Sequence, residues 1–110
     1  MYETRELADE FARLVVEERL AACAHVEGPV TARFWWDGKV NEVEEWRVTC
    51  KTTMLRFAEL EARIKVHHPY VVPEILSLPI LAGSDEYLTW MRTETQPRPA
   101  GGGAGGVSVG

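Results

Sequence analysis

Hydrophobic and polar positions along this chain follow two periods in turn, and the changes of period mark out its elements. Over residues 4–20, Leu7, Phe11, Leu14 and Val15 recur at i, i+4, i+7 and i+8, one apolar stripe. The spacing predicts a first helix from Thr4 to about Leu20, with Thr4 as N-cap and Glu6 placing acid in the first turn. ACAHVEGPV changes character, and Gly28–Pro29 reads as a break. VTARFWW, residues 30–36, then alternates. Val30, Ala32, Phe34 and Trp36 fall on one face, and Thr31, Arg33 and Trp35 on the other. Asp37–Gly38 is a dipeptide that accepts positive φ in a tight turn. The return strand is predicted from about Glu42 to Lys51, with Trp46, Val48 and Cys50 pointing one way and Glu45, Arg47 and Thr49 the other. Residues 30–51 are therefore expected to form one long antiparallel hairpin.

A second helix is predicted over about Leu55 to His67, burying Phe57, Leu60 and Ile64. Pro69 ends it, because a residue before proline is pushed out of the α region. EILSL, residues 74–78, lies between Pro73 and Pro79 and reads as a short strand near a sheet edge. Ser84 is placed to cap a last helix, with Asp85 and Glu86 in its first turn and Tyr87, Leu88, Met91 and Trp90 facing inward. From Pro97 the sequence PRPAGGGAGGVSVG has almost nothing to bury. The expected organisation is one domain over 1–95 and a disordered Pro/Gly-rich tail over 96–110.

The order α, β-hairpin, α, β, α specifies an α+β protein. It fits a ferredoxin-like split βαβ sandwich that lacks its first strand and carries an extra C-terminal helix. The first helix of that fold returns from a strand, yet little more than Met1 and Tyr2 precedes it here. The absent strand is the central one, and each buried orphan backbone group would cost about 1–3 kcal/mol. The expectation is that the chain is truncated at its N-terminus.

Composition narrows the function. The formal net charge is −5, and no basic run interleaves with aromatics, which argues against a nucleic-acid surface. No apolar run approaches the roughly 20 residues of a membrane span. The opening MYETRELADE is charged from its third residue, unlike a secretory signal. Two cysteines are too few for a disulfide scaffold, and a cytoplasmic location is expected.

Three groups of residues could carry chemistry. His67 and His68 precede Pro69. Adjacent positions on a helix diverge by about 100° and chelate poorly, so a shared metal requires the chain to leave the helix between them. The competing reading is a helix end in which imidazole meets the last carbonyls and the negative dipole. Cys23 and His25, two apart, would share a strand face and could meet a soft metal or act as thiol and base. Alternatively Cys23 is a small buried hydrophobe, as Cys50 is expected to be. Glu42, Glu44 and Glu45 form an acidic cluster, read either as a cation site or as a charged, solvated edge. Trp35, Trp36 and Trp46 on one hairpin exceed what a thin core uses and suggest a subunit interface. No phosphate loop, GxSxG or HExxH motif is present.

With these residues laid out, the chain resembles the CutA family of divalent-cation-tolerance proteins from about Leu7 to Thr95. The likeness is carried by VEERLAACAHV (16–26), FWWDGKV (34–40) followed by Glu45, KTT (51–53), HHPYVVPEIL (67–76), LPI (78–80) and YLTW (87–90). The resemblance implies a ferredoxin-like subunit, a homotrimer, a cytoplasmic non-enzymatic protein linked to copper and other divalent metals, and a shape like that of PII signalling proteins. It maps proposed copper ligands onto His67 and His68. A further proposed ligand of the family, a cysteine in the opening strand, has no counterpart here, and Cys23 stays a candidate ligand from its spacing to His25. Where most members carry Asn, this chain has His25. A PII-like trimer that binds a small ligand or a protein partner through Trp35, Tyr70 and Glu74 is the second functional reading.

Overall fold

A computed structural model describes residues 1–97. Its elements are α1 (Arg5–Glu17), β1 (Cys23–Trp36), β2 (Lys39–Lys51), α2 (Met54–His67) and α3 (Asp85–Glu94). The tail expected to be disordered lies, from residue 98, outside the described residues.

α1 starts where the capping signal put it: the Thr4 side chain accepts a hydrogen bond from the Leu7 amide at 3.2 Å. It ends at Glu17, short of the expected Leu20. Arg19 takes φ 61°, and the amides of Leu20 and Ala21 fold back onto the Val15 carbonyl. That geometry closes the helix with a left-handed residue. Arg19 also donates to the Glu94 carbonyl and carboxylate, both at 3.0 Å, which ties the end of α1 to the end of α3.

β1 and β2 pair antiparallel from Cys23↔Lys51 to Trp36↔Lys39. Asp37 (φ 52°) and Gly38 (φ 73°) both adopt the positive φ that a tight two-residue turn requires. The hairpin is longer than its alternation indicated, because Gly28–Pro29 does not end the strand. It forms a bulge, with the register shifting between Glu27 and Val30. Trp46 lies over this bulge, and a Cβ on Gly28 would sit 2.7 Å from Trp46 Cδ1 and 3.0 Å from the Glu45 carbonyl.

α1 and α2 cover one face at the base of the hairpin. Ala8, Phe11, Val15, Leu20, Ala21 and Leu60 form the core with Tyr2, and Ala24, Val26, Trp46, Val48 and Cys50 pack against it from the sheet. Tyr2 is 2% exposed and forms an antiparallel bridge to Trp46, each amide donating to the other's carbonyl at 2.7 Å. Ser84 caps α3 by accepting from the Tyr87 amide, and Met91 is its buried anchor.

The expected strand over 74–78 does not form. Among the described residues nothing pairs with this segment, and Leu76 and Leu78 are exposed. A strand exists only through its ladder, and an apolar run between prolines cannot supply the partner. The acidic cluster also divides. Glu42 is exposed and faces Arg33 at 3.3 Å, whereas Glu45 is buried.

Candidate functional site

The site forms where the chain leaves α2. His67 is the last helical residue, and the His68 amide still donates to the Ile64 carbonyl at 2.7 Å. His68 itself is extended, with φ −74° and ψ 132°, as a residue before proline should be. The two imidazoles therefore diverge, and each acquires its own surroundings.

His67 packs on the outer part of the core. Its ring is 5.2 Å from Phe11 and 5.6 Å from Tyr2, centroid to centroid. Its Nδ1 lies 3.0 Å from the Tyr2 hydroxyl, and its Nε2 lies 3.4 Å from Glu10 Oε1, a carboxylate on the exposed side of α1. His68 is buried and stacks on Tyr2 at 4.3 Å. Its Nε2 contacts the Met1 carbonyl, and its Nδ1 accepts from the Tyr70 amide at 3.1 Å. Burial holds the His68 pKa below the ordinary histidine value, despite the opposing hydrogen bond to Met1. The ring is therefore neutral, with its proton on Nε2 and its lone pair on Nδ1.

Tyr70 continues the network by donating to Glu45 Oε2 at 2.8 Å. Burial, then the bond to Glu45, raises the tyrosine pKa, so the phenol stays protonated as donor. Burial likewise raises the pKa of Tyr2. The result is a hydrogen-bonded seam: Glu10, His67 and Tyr2 on one side, His68, Tyr70 and Glu45 on the other, with the Tyr2 and His68 rings stacked between.

Cys23 has different company. Its Sγ is 3.6 Å from the Tyr87 hydroxyl of α3, which raises the Tyr87 pKa. Ala24, one position on, faces the core, so alternation turns Cys23 the other way. His25 is exposed. Cys50 is half-buried and packed on the core, and burial raises its thiol to about 11. Among the described residues no three His, Cys, Asp or Glu side chains converge on a point that could hold an ion. The structure thus brings Glu10 and Tyr2 to His67, and Tyr70 to His68, while Cys23 belongs to a separate contact. Neither Glu10 nor Tyr2 stood out in the sequence, since they are 57 and 65 residues from His67 and belong to no local motif.

The family model described as CutA1 divalent ion tolerance protein matches residues 1–94. The chain is 45% identical over 92 residues to a divalent-cation tolerance protein CutA of Thermus thermophilus, covering 84% of this chain and 89% of that protein. It is 38% identical over 84 residues to the protein of the same name from Escherichia coli, covering 76% of this chain and 75% of that one. Among solved structures, the Cut A1 protein of Thermus thermophilus superposes with a TM-score of 0.84 at 43% identity, over 86% of this chain and 92% of that one. CutA1 of Oryza sativa superposes with the same TM-score of 0.84 at 32% identity, over 86% and 87%.

Proposed function

The chain belongs to the CutA family of divalent-cation tolerance proteins, and from that membership and the geometry of the α2 exit we propose that it binds a divalent cation, copper among them, as part of metal tolerance. The supporting observation is His67. It is a half-buried imidazole fixed by aromatic rings at a helix end, with its Nε2 edge turned towards a surface carboxylate. Imidazole with carboxylate suits divalent Zn, Cu or Ni. Cys23 contacts the Tyr87 hydroxyl of α3 instead. The role is one of binding, without turnover of a substrate.

The reading includes a homotrimer in the cytoplasm. Its support is the apolar surface at the hairpin tip, where Trp35 is 74% exposed and Trp36, Val40 and Val43 are exposed beside it. A patch of this kind on a small subunit marks a contact surface. No helix of the described residues is long and apolar enough to cross a membrane.

Titration calorimetry with Cu²⁺ and Zn²⁺ tests the binding. Wild-type protein is expected to bind, and the double variant His67→Ala, His68→Ala to lose that binding. Unchanged affinity in the double variant would remove the α2 exit from the function. Light scattering tests assembly, with a native mass three times the 12.4 kDa chain expected.

A further inference from the structure

We infer that the cation is held between His67 Nε2 and the Glu10 carboxylate, and that His68 is a positioning residue rather than a second ligand. The inference rests on the metal-binding reading above and assigns that site its atoms.

The distance between the candidate ligands comes first. His67 Nε2 and Glu10 Oε1 lie 3.4 Å apart. Two atoms each about 2.1 Å from one tetrahedral ion are separated by roughly 3.4 Å, so the spacing this pair holds as a hydrogen-bonded contact is also one that an ion can span. The pair comes from α2 and α1, which contribute Leu60 and Phe11 to the same core. Glu10 is largely exposed and His67 is not, so the carboxylate side is open to solvent and leaves room for water as the remaining ligands.

The other nitrogen of His67 is prepared for this. Its Nδ1 is 3.0 Å from the Tyr2 hydroxyl. A metal on Nε2 requires the ring proton on Nδ1, and a hydroxyl can accept that proton's hydrogen bond as readily as it donates to a bare nitrogen. Tyr2 therefore holds the ring in place in either tautomer. A histidine whose second nitrogen is held in this way is an oriented ligand.

His68 has no such freedom. A neutral imidazole has one N–H and one lone pair. The first is committed to the Met1 carbonyl and the second to the Tyr70 amide, and the ring is buried against Tyr2. For His68 to bind an ion, one buried backbone group would have to lose its partner. Its effect on the site runs through Tyr2: the stacked His68 ring supports the phenol that orients His67.

The test uses the full chain and Zn²⁺ alone, which is redox-inert towards the cysteines. Glu10→Gln keeps the shape of an exposed side chain and is expected to weaken Zn²⁺ by about tenfold or more, with the circular dichroism spectrum unchanged. In histidine-ring NMR of the wild type, Zn²⁺ should shift the Nε2 resonance of His67 and leave the His68 nitrogens in place. His68→Gln should lower the melting temperature, and a folded sample should still bind Zn²⁺, weakened less than by Glu10→Gln. The ring spectra of the wild type decide the matter if that variant does not fold. Wild-type protein that ignores Zn²⁺ would sink both the metal reading and this inference. Wild-type binding with Glu10→Gln equally tight, or with the His68 resonances shifting directly, would overturn the inference and leave the metal reading standing.

Discussion

The two halves of the hairpin share one ladder and one turn, yet they meet opposite surroundings. At the base, Cys23–Glu27 pairs with Arg47–Lys51, and Ala24, Val26, Val48 and Cys50 lie against the helices. At the tip, Val30–Trp36 pairs with Lys39–Glu45, and Phe34, Trp35, Trp36, Val40 and Val43 are exposed. Length explains the difference. The 14 residues of β1 extend roughly 46 Å, whereas the 13 residues of α1 extend roughly 20 Å. One helix layer can cover less than half of the ribbon. Alternation therefore specifies a two-faced strand without specifying what lies on either face, and the apolar tip is left for another surface to cover.

The largest test of this contrast is at the base. Phe11→Ala should cost about 3–5 kcal/mol in denaturant unfolding, because the ring is fully enclosed by Tyr2, α2 and the sheet. A loss below about 1 kcal/mol would mean that the helix layer does not hold the base. Next comes the boundary. Gly28→Ala places a methyl group on Trp46 and should cost about 1–3 kcal/mol, read from the same unfolding curves.

Acid gives a third test. Burial lowers the pKa of His68 in the folded chain, so the unfolded chain takes up the proton first. Stability from this group is complete above the ordinary value of 6.5 and declines as the pH falls from there through the folded value. Melting temperatures across pH 5–8 should show that decline in metal-free protein, and His68→Gln should flatten it. At the tip, Trp35→Ser should change subunit stability by no more than about 0.5 kcal/mol, yet lower the native mass in light scattering. A tip variant that unfolds the isolated subunit would erase the distinction between the halves. The exposed Arg33–Glu42 pair is also a weak contributor, and Arg33→Ala should alter unfolding by about 0–1 kcal/mol.

The sequence was most legible where one short segment carries the whole signal. Thr4 and Ser84 cap as expected, Asp37–Gly38 turns the hairpin, and Pro69 releases His68 from the helix. It was least legible where the decisive partner is distant. The segment 74–78 has strand-like composition and no ladder, and Gly28–Pro29 has a breaker's composition yet continues the strand through a bulge. The site follows the same rule. The pair His67–His68 is conspicuous in sequence, but Glu10, Tyr2 and Glu45 reach it only through the packing of α1 and the sheet edge. In sequence Glu45 is one of three clustered acids, read either as a cation site or as a charged edge, and the phenol of Tyr70 is what separates it from the others. Only a contact across 25 residues reveals this.

The bulge at Gly28–Pro29 has one more consequence, for assembly of the ribbon. Two long strands with period-two patterns can slide by two residues and keep every side chain on its own face, so alternation alone tolerates misalignment. The bulge removes that tolerance. A slipped hairpin would bring the irregular Gly28–Pro29 step opposite a different stretch of β2 and move Trp46 off Gly28, where no Cβ stands in its way. Two residues with little side chain to bury thus act as an index mark, and the mark, rather than the turn alone, sets which rungs of the ladder may meet.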